Sequence, residues 1–131
     1  MVVAFAALMA GTAGAERFGV ELGLGNRTGD LGLHVGAYSR MSGPGPAQTE
    51  LRVTFDRSLS SGGTTYIGAD ALLSADLRLL RPYAGIGVAL PLGSFGASFK
   101  TTLGARLGLG FVEGNFGAQN TTYRAGLVLR F

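Results

Sequence analysis

The last amphipathic stretch of the chain reads Thr122-Tyr123-Arg124-Ala125-Gly126-Leu127-Val128-Leu129-Arg130-Phe131. Aromatic and aliphatic side chains occupy one set of alternate positions: Tyr123, Ala125, Leu127, Leu129 and Phe131. The positions between them hold Arg124, Gly126, Val128 and Arg130. A period of two places the two sets on opposite faces of a β-strand, so this stretch predicts an amphipathic strand.

The same alternation recurs towards the beginning of the chain, and a helical spacing is not sustained anywhere. Seven runs are clear, at 18–24, 31–38, 50–56, 66–73, 81–90, 102–111 and 122–131. Turn-forming stretches rich in Gly, Pro, Ser and Asn separate them, at 26–30, 42–46, 58–63, 91–94 and 113–120. The longest runs have the roughly nine to eleven residues that a tilted strand needs to cross a bilayer.

One face of these predicted strands is rich in Leu, Val and Phe, and the other holds Gly with single charged residues. If the apolar face pointed inward, the outer face would be mostly Gly, which solvates poorly and packs against nothing. If the apolar face points into lipid, the Gly face lines a narrow interior in which opposite charges pair. Backbone groups in hydrocarbon must all be bonded, so the strands must close without edges. The sequence therefore predicts an all-β fold, a closed antiparallel up-and-down transmembrane β-barrel, with an interior charge network of Glu21, Glu50, Arg52, Asp70, Arg106 and Arg124.

Composition excludes several other classes of protein. The chain has 131 residues, of which 23 are Gly and only 15% are charged, so an ordinary charged, water-exposed surface cannot be built from it. The basic residues are scattered singly, whereas a nucleic-acid site needs them clustered. Cys is absent, which removes disulfides, thiol catalysis and most zinc sites. We expect no cofactor and no nucleic-acid partner.

The first fifteen residues, MVVAFAALMAGTAGA, are uncharged and apolar and end in small side chains. They are typical of a cleavable export signal, with Ala13 and Ala15 at the positions that a signal peptidase reads and cleavage before Glu16. The apolar stretch is well below the roughly 20 residues of a membrane-spanning helix. We expect a signal peptide at 1–15 and one barrel domain at 16–131.

The terminal stretch from Tyr123 to Phe131 resembles the last strand of small bacterial outer-membrane barrels of the OmpA-like, OmpX-like and opacity-type families. The segment Arg81-Pro82-Tyr83-Ala84-Gly85-Ile86-Gly87 is similar to a strand opening common in these families. The resemblance implies a bacterial outer-membrane location, outer-membrane lipid as the surrounding partner, and recognition by the barrel-assembly machinery through Tyr123, Leu127, Leu129 and Phe131. Such barrels have an even number of strands, so it also implies eight, with the eighth drawn from 95–100 or 115–120.

His34 is the one residue that could suggest catalysis. A hydrolase of the outer-membrane deacylase type would need it beside a serine and a carboxylate, for which Ser39 and Glu50 are candidates. Nothing in the sequence brings these residues together, and His34 falls on the predicted interior face. We therefore expect a polar interior residue hydrogen-bonded to Tyr38 or another neighbour. No spacing of potential ligands indicates a metal site. The glycines at 23–25 and 108–110 indicate positions where two backbone segments approach each other closely.

The expected function is non-enzymatic: an integral outer-membrane barrel with a structural or surface-contact role in the cell envelope. A narrow solute or ion channel is the alternative, because the interior charges could line an ion path instead of forming a plug. A soluble, lipocalin-like barrel that holds a small apolar ligand is a third possibility. The sequence names no specific envelope partner.

Overall fold

The computed structural model describes residues 18–27, 29–41, 47–59, 63–77, 79–93, 96–117 and 121–131, so the predicted signal at 1–15 lies outside the described residues. The described residues form a closed barrel of eight antiparallel strands, each paired with its neighbours in chain order. The predicted all-β, eight-stranded up-and-down barrel is confirmed. The strands are β1 (Phe18–Arg27), β2 (Asp30–Met41), β3 (Ala47–Ser58), β4 (Thr65–Ala75), β5 (Leu80–Pro91), β6 (Ser98–Leu107), β7 (Gly110–Gly117) and β8 (Thr121–Arg130). The described residues include no helix long and apolar enough to cross a membrane.

The barrel closes where β1 pairs with β8, with Gly23 opposite Gly126. A Cβ atom on Gly126 would lie only 2.1 Å from the carbonyl oxygen of Leu22, and one on Gly23 would lie 2.4 Å from that of Ala125. Only glycine leaves room for such close backbone approach. This explains why both strands of the seam carry glycine at this level.

The two faces of the strands differ as the alternation predicts. Leucines at alternate positions of β1 and β8, such as Leu22, Leu24 and Leu127, are about half exposed and point outward. The residues between them point inward, where Glu21 and Arg124 are buried. The apolar face therefore surrounds the barrel, and the charged face fills it.

The run at 102–111 is not one strand, contrary to the sequence prediction. β6 ends at Leu107, a two-residue turn follows, and β7 begins at Gly110. Gly108 has a φ of +59°, a left-handed conformation that glycine adopts without steric cost. Gly and Leu continue to alternate through this turn, so the period of two does not reveal it.

The turn changes which residues of β7 face inward. Leu107 pairs with Gly110, and both lie on the same face of the sheet. Phe111, predicted to face lipid, therefore points inward and is buried. The predicted turn at 113–120 is also wrong at its beginning, because Glu113 lies within β7. The eighth strand uses parts of both candidate segments, since β6 begins at Ser98 and β7 ends at Gly117.

All connections between consecutive strands are short, with two to six residues each. The first connection is shorter than the predicted turn at 26–30, because Asn26 and Arg27 are the last residues of β1. The amide of Gly29 donates a hydrogen bond to Oδ1 of Asn26 at 2.9 Å, an Asx-type contact that favours a tight turn. Short turns leave the barrel interior as the main place for a functional site.

Candidate functional site: the interior ion-pair network

Arg52 occupies the centre of the barrel, where its side chain is fully buried. Its two terminal nitrogens contact the two carboxylate oxygens of Glu113, Nη1 with Oε1 and Nη2 with Oε2. Nη1 also donates to Oε1 of Glu21 at 3.1 Å, and Nε donates to Oδ2 of Asp70 at 2.8 Å. One guanidinium thus holds three carboxylates from β1, β4 and β7, a geometry to which its planar set of donors is suited.

Arg106 forms a second centre, nearer the end of the barrel at which β1 begins and β8 ends. Its Nη1 donates to both oxygens of Glu50, at 2.9 and 3.0 Å, and its Nη2 donates to Oε2 of Glu21 at 3.1 Å. The guanidinium carbon lies 4.1 Å from the ring centroid of Tyr38 and 4.3 Å from that of Tyr83. Both distances are within the range of cation–π attraction, so the buried charge has carboxylate and aromatic partners.

The two tyrosines fit because each lies directly opposite a glycine on the neighbouring strand. Gly19 pairs with Tyr38, and Gly104 pairs with Tyr83. A Cβ atom on Gly104 would lie 2.5 Å from Cζ of Tyr83, and one on Gly19 would lie 2.2 Å from the same atom of Tyr38. The inward glycines therefore leave the volume that the aromatic rings occupy beside Arg106.

Arg124 links the centre to the opposite end of the barrel. Its Nη1 donates to Oε2 of Glu113 at 2.7 Å and its Nη2 donates to Oδ2 of Asp56 at 2.6 Å. His34 lies between two carboxylates, with Nδ1 2.7 Å from Oδ1 of Asp56 and Nε2 3.2 Å from Oε1 of Glu21. A histidine donates to both partners only when both ring nitrogens carry protons, so this arrangement suits an imidazolium.

A final group of charges lies at the mouth of the barrel at which β1 begins and β8 ends. Arg40 reaches both Glu50, with Nε 3.5 Å from Oε2, and Asp76, with Nη2 3.2 Å from Oδ2. Arg81 donates from Nε to Oδ1 of Asp76. Partial burial acts to raise the pKa of Asp76, but the hydrogen bonds from Arg81 and Arg40 outweigh it and hold the pKa below its ordinary value.

The network is continuous from the mouth at which β1 begins to a region just inside the opposite mouth. Ion pairs link Asp76 to Arg40, Glu50, Arg106, Glu21, Arg52, Glu113, Arg124 and Asp56 in sequence, and Lys100 adds a branch to Asp70 at 3.3 Å. With Asp76 at its beginning, the network contains six carboxylates and five Arg or Lys side chains. An imidazolium at His34 balances their formal charges, as a poorly hydrated interior requires.

The structure brings together all six residues of the charge network predicted from the sequence, each of them buried: Glu21, Glu50, Arg52, Asp70, Arg106 and Arg124. Sequence reasoning missed Glu113. This carboxylate accepts hydrogen bonds from Arg52, from Arg124 and, at 2.7 Å, from the hydroxyl of Tyr83. The signal that could have identified Glu113 is the alternation along β7, in which Phe111, Glu113 and Asn115 occupy every second position. That alternation becomes visible only once the turn at Gly108 is recognised.

His34 is not arranged for hydrolysis with the expected partners. Ser39 pairs with Phe18 and Leu51 on the outward face, whereas His34 points inward. Glu50 contacts Arg106 and Arg40 and no described contact joins it to His34. The prediction named Tyr38 or another neighbour as the hydrogen-bond partner of His34, and the structure shows the neighbours Asp56 and Glu21 in that role. The described residues also contain no group of three or more His, Asp or Glu side chains suited to a metal ion.

The predicted assembly signal lies on the outward face of the last strand. Tyr123, Leu127, Leu129 and Phe131 are all well exposed. The Phe131 ring packs on the ring of Phe18 with centroids 5.7 Å apart, and the Phe131 amide donates to the Phe18 carbonyl at 2.8 Å. Recognition of these residues by assembly machinery stays a prediction.

Comparison with known proteins yields similarity of structure without similarity of sequence. No family model and no curated protein sequence match the chain. A de novo designed transmembrane β-barrel is similar with a TM-score of 0.76 at 15% identity, over 90% of this chain and 98% of the designed one. The outer-membrane protein Ail of Yersinia pestis, solved in a phospholipid bilayer nanodisc, is similar with a TM-score of 0.58 at 11% identity, over 88% and 99% of the two chains. At these identities the likeness shows the fold alone, that of a closed β-barrel.

Proposed function

We propose that this chain is an integral barrel of the bacterial outer membrane with a structural or surface-contact role in the envelope, and that its interior is sealed. The outward face supports the membrane location. Among the charged residues of the described strands, only Arg57 has an outward position, one residue before the end of β3. A lipid-facing charge is tolerated at such a margin and costs several kcal/mol at the bilayer centre, about 2–4 for Arg or Lys.

The observation that carries the sealed interior is the contact of Arg52 with Glu113. β3 and β7 are separated by three strands in either direction around the eight-stranded barrel, so this pair joins opposite walls across the lumen. Both side chains are fully buried. An ion that passed would have to separate charges whose removal from their partners costs about 3–5 kcal/mol. The plug is therefore favoured over the ion path.

The same filling argues against the lipocalin-like alternative. A barrel that binds a small apolar ligand needs an apolar cavity, whereas the interior here contains ion pairs, and the leucines of the described strands other than Leu72 point outward. Because every connection has six residues or fewer, surface contacts would be made by the strand ends and short turns. Long adhesive loops have no place between these strands.

Location and closure are tested by fractionating cells and running the membrane fraction on gels with and without boiling. The chain should remain in the outer-membrane fraction after washing with urea, and its mobility should change on heating because a closed barrel stays compact in detergent. Recovery in the soluble fraction would exclude the membrane proposal. An envelope role further predicts that a strain lacking the chain becomes more sensitive to detergents and recovers when it is expressed again.

The seal is tested by single-channel recording in planar bilayers. The unmodified barrel should give no conductance steps, and the double variant Arg52→Ser with Glu113→Ser should leak because the contact across the lumen is lost. Arg57→Ser, at the outer margin, is the matched control and should behave as the unmodified chain. Regular conductance steps from the unmodified barrel would favour the channel function instead.

A further inference from the structure

Three leucines lie in turns at the end of the barrel where the chain enters and leaves it. Leu77 and Leu79 are in the β4–β5 connection, and Leu109 is in the β6–β7 turn. Leu79 is 77% exposed and Leu109 is 68% exposed. Large apolar side chains at turn positions are unfavourable in water, since a fully exposed leucine lacks the stabilisation of about 1.5–3 kcal/mol that its burial would give.

These turns form one continuous surface with the outward face of the barrel. The amide of Gly108 donates to the carbonyl of Leu79 at 3.3 Å, which holds the two turns side by side. Immediately above them Leu80 pairs with Leu107, and Gly110 pairs with Leu127. We call the set Leu77, Leu79, Leu80, Leu107 and Leu109 the leucine corner.

Exposed leucines also occur in connections at the opposite end, Leu59 between β3 and β4 and Leu92 between β5 and β6. At the same end as the leucine corner, the β2–β3 connection reads Ser42-Gly43-Pro44-Gly45-Pro46 and holds no leucine. At this end the apolar surface thus extends past the strand ends on one side of the barrel. The described charged groups nearest the corner lie at the mouth of the barrel, where Arg130 donates to the carbonyl of Gly108 at 3.0 Å and Arg81 pairs with Asp76.

We propose that the leucine corner is immersed in the acyl chains of the adjacent leaflet, so that the barrel sits tilted in the bilayer with this side deeper. The proposal rests on the membrane location proposed above. Lipid is the occupant because the corner is continuous with the face that lipid covers.

The chain contains no tryptophan, so a single introduced tryptophan reports on one position. We would make Leu79→Trp and Leu109→Trp, with Leu127→Trp as the reference within the lipid-facing belt. Met41→Trp is the matched control, since Met41 ends β2 at the same end of the barrel but on the opposite side. Each variant is reconstituted into phosphatidylcholine vesicles with brominated acyl chains, and quenching by bromine and by aqueous iodide is measured.

Bromine should quench Leu79→Trp and Leu109→Trp nearly as strongly as Leu127→Trp, and at least about twofold more strongly than Met41→Trp, because immersed apolar faces lie about 5–10 Å below the interface. Iodide should show the reverse order. Quenching of the two turn variants by iodide, or protection from both quenchers as a protein contact would give, overturns the proposal. Weak bromine quenching of Leu127→Trp counts instead against the membrane location itself.

Discussion

The guanidinium of Arg52 and the carboxylate of Glu113 form a bidentate ion pair across the middle of the barrel, although 61 residues separate them in the chain. The strands that carry them stand opposite one another in the closed sheet. A pair of this kind resists both flattening of the barrel and passage of ions. It also makes each partner dependent on the other, because a buried charge without its partner is strongly unfavourable.

Substitution of Glu113 by Gln should therefore lower the free energy of unfolding by about 3–5 kcal/mol, since Arg52 and Arg124 both lose a buried counter-charge. The measurement is a urea titration in detergent, followed by the gel mobility of the folded barrel. Arg57→Gln removes a charge at the exposed outer margin and should cost about 1 kcal/mol or less. Equal losses in the two variants would contradict the assignment of Glu113 to a buried network.

Gly104→Ala tests the fit between the inward glycines and the tyrosine rings. The added Cβ would lie 2.5 Å from Cζ of Tyr83 and 2.8 Å from the carbonyl oxygen of Val112, so we expect a loss of about 1–3 kcal/mol from overpacking. Gly110→Ala is the control, because a Cβ atom there would lie 3.6 Å from its nearest neighbour, the carbonyl oxygen of Leu107. The midpoints of thermal unfolding should fall for the first variant and stay near the unmodified value for the second.

The pH dependence of the mouth follows from Asp76, whose pKa lies below its ordinary value because Arg81 and Arg40 donate to it. A carboxylate of this kind stabilises the fold at pH values above its unfolded pKa and loses that contribution as the pH falls through the lowered pKa. Asp76→Asn should cost up to about 1 kcal/mol at pH 7, given its exposure, and this cost should disappear at an acidic pH below the lowered pKa. Unfolding at both pH values, with Arg81→Gln and the double variant completing a cycle, measures this. A pH-independent cost would rule out the ion pair as its cause.

Phe131→Ala should reduce the amount of chain in the outer membrane far more than it reduces the stability of what inserts. The substitution keeps the backbone hydrogen bonds with Phe18 and removes at most about 1.5–3 kcal/mol of apolar burial. Leu127→Ala, on the same outward face, should leave the membrane fraction largely populated. Immunoblots of fractionated cells compare the two, and similar membrane levels for both variants would remove the basis for a terminal assembly signal.

Export should require residues 1–15, and the mature chain should begin at Glu16. The expectation follows from the apolar segment and from the small residues Ala13 and Ala15 before the cleavage point. Mass spectrometry of the N-terminal peptide from envelope preparations is the direct measurement. Recovery of Met1 on the mature envelope protein would show that this segment is retained.

The class of fold could be predicted from the sequence because a period of two is a local property. Each of the runs at 18–24, 31–38, 50–56, 66–73 and 81–90 lies within one strand of the barrel, and the run at 122–131 passes the end of β8 by one residue, Phe131. The inward direction of the Gly-rich face followed from volume, since inward glycines leave room in a narrow lumen for large side chains such as Tyr83. The strand boundary at Gly108 escaped because the turn itself alternates between Gly and Leu, and its left-handed φ leaves no mark on the pattern.

The sequence by itself determined that charged residues such as Arg52 and Arg106 would share an interior, since alternation assigns a face to every residue of a strand. Only the tertiary structure decided which charges meet. Arg52 contacts Glu113 because closure of eight strands sets β3 opposite β7, and Arg106 contacts Glu50 because the register of the sheet sets their heights in the lumen. Closure and register are properties of the whole sheet, so no single strand encodes them.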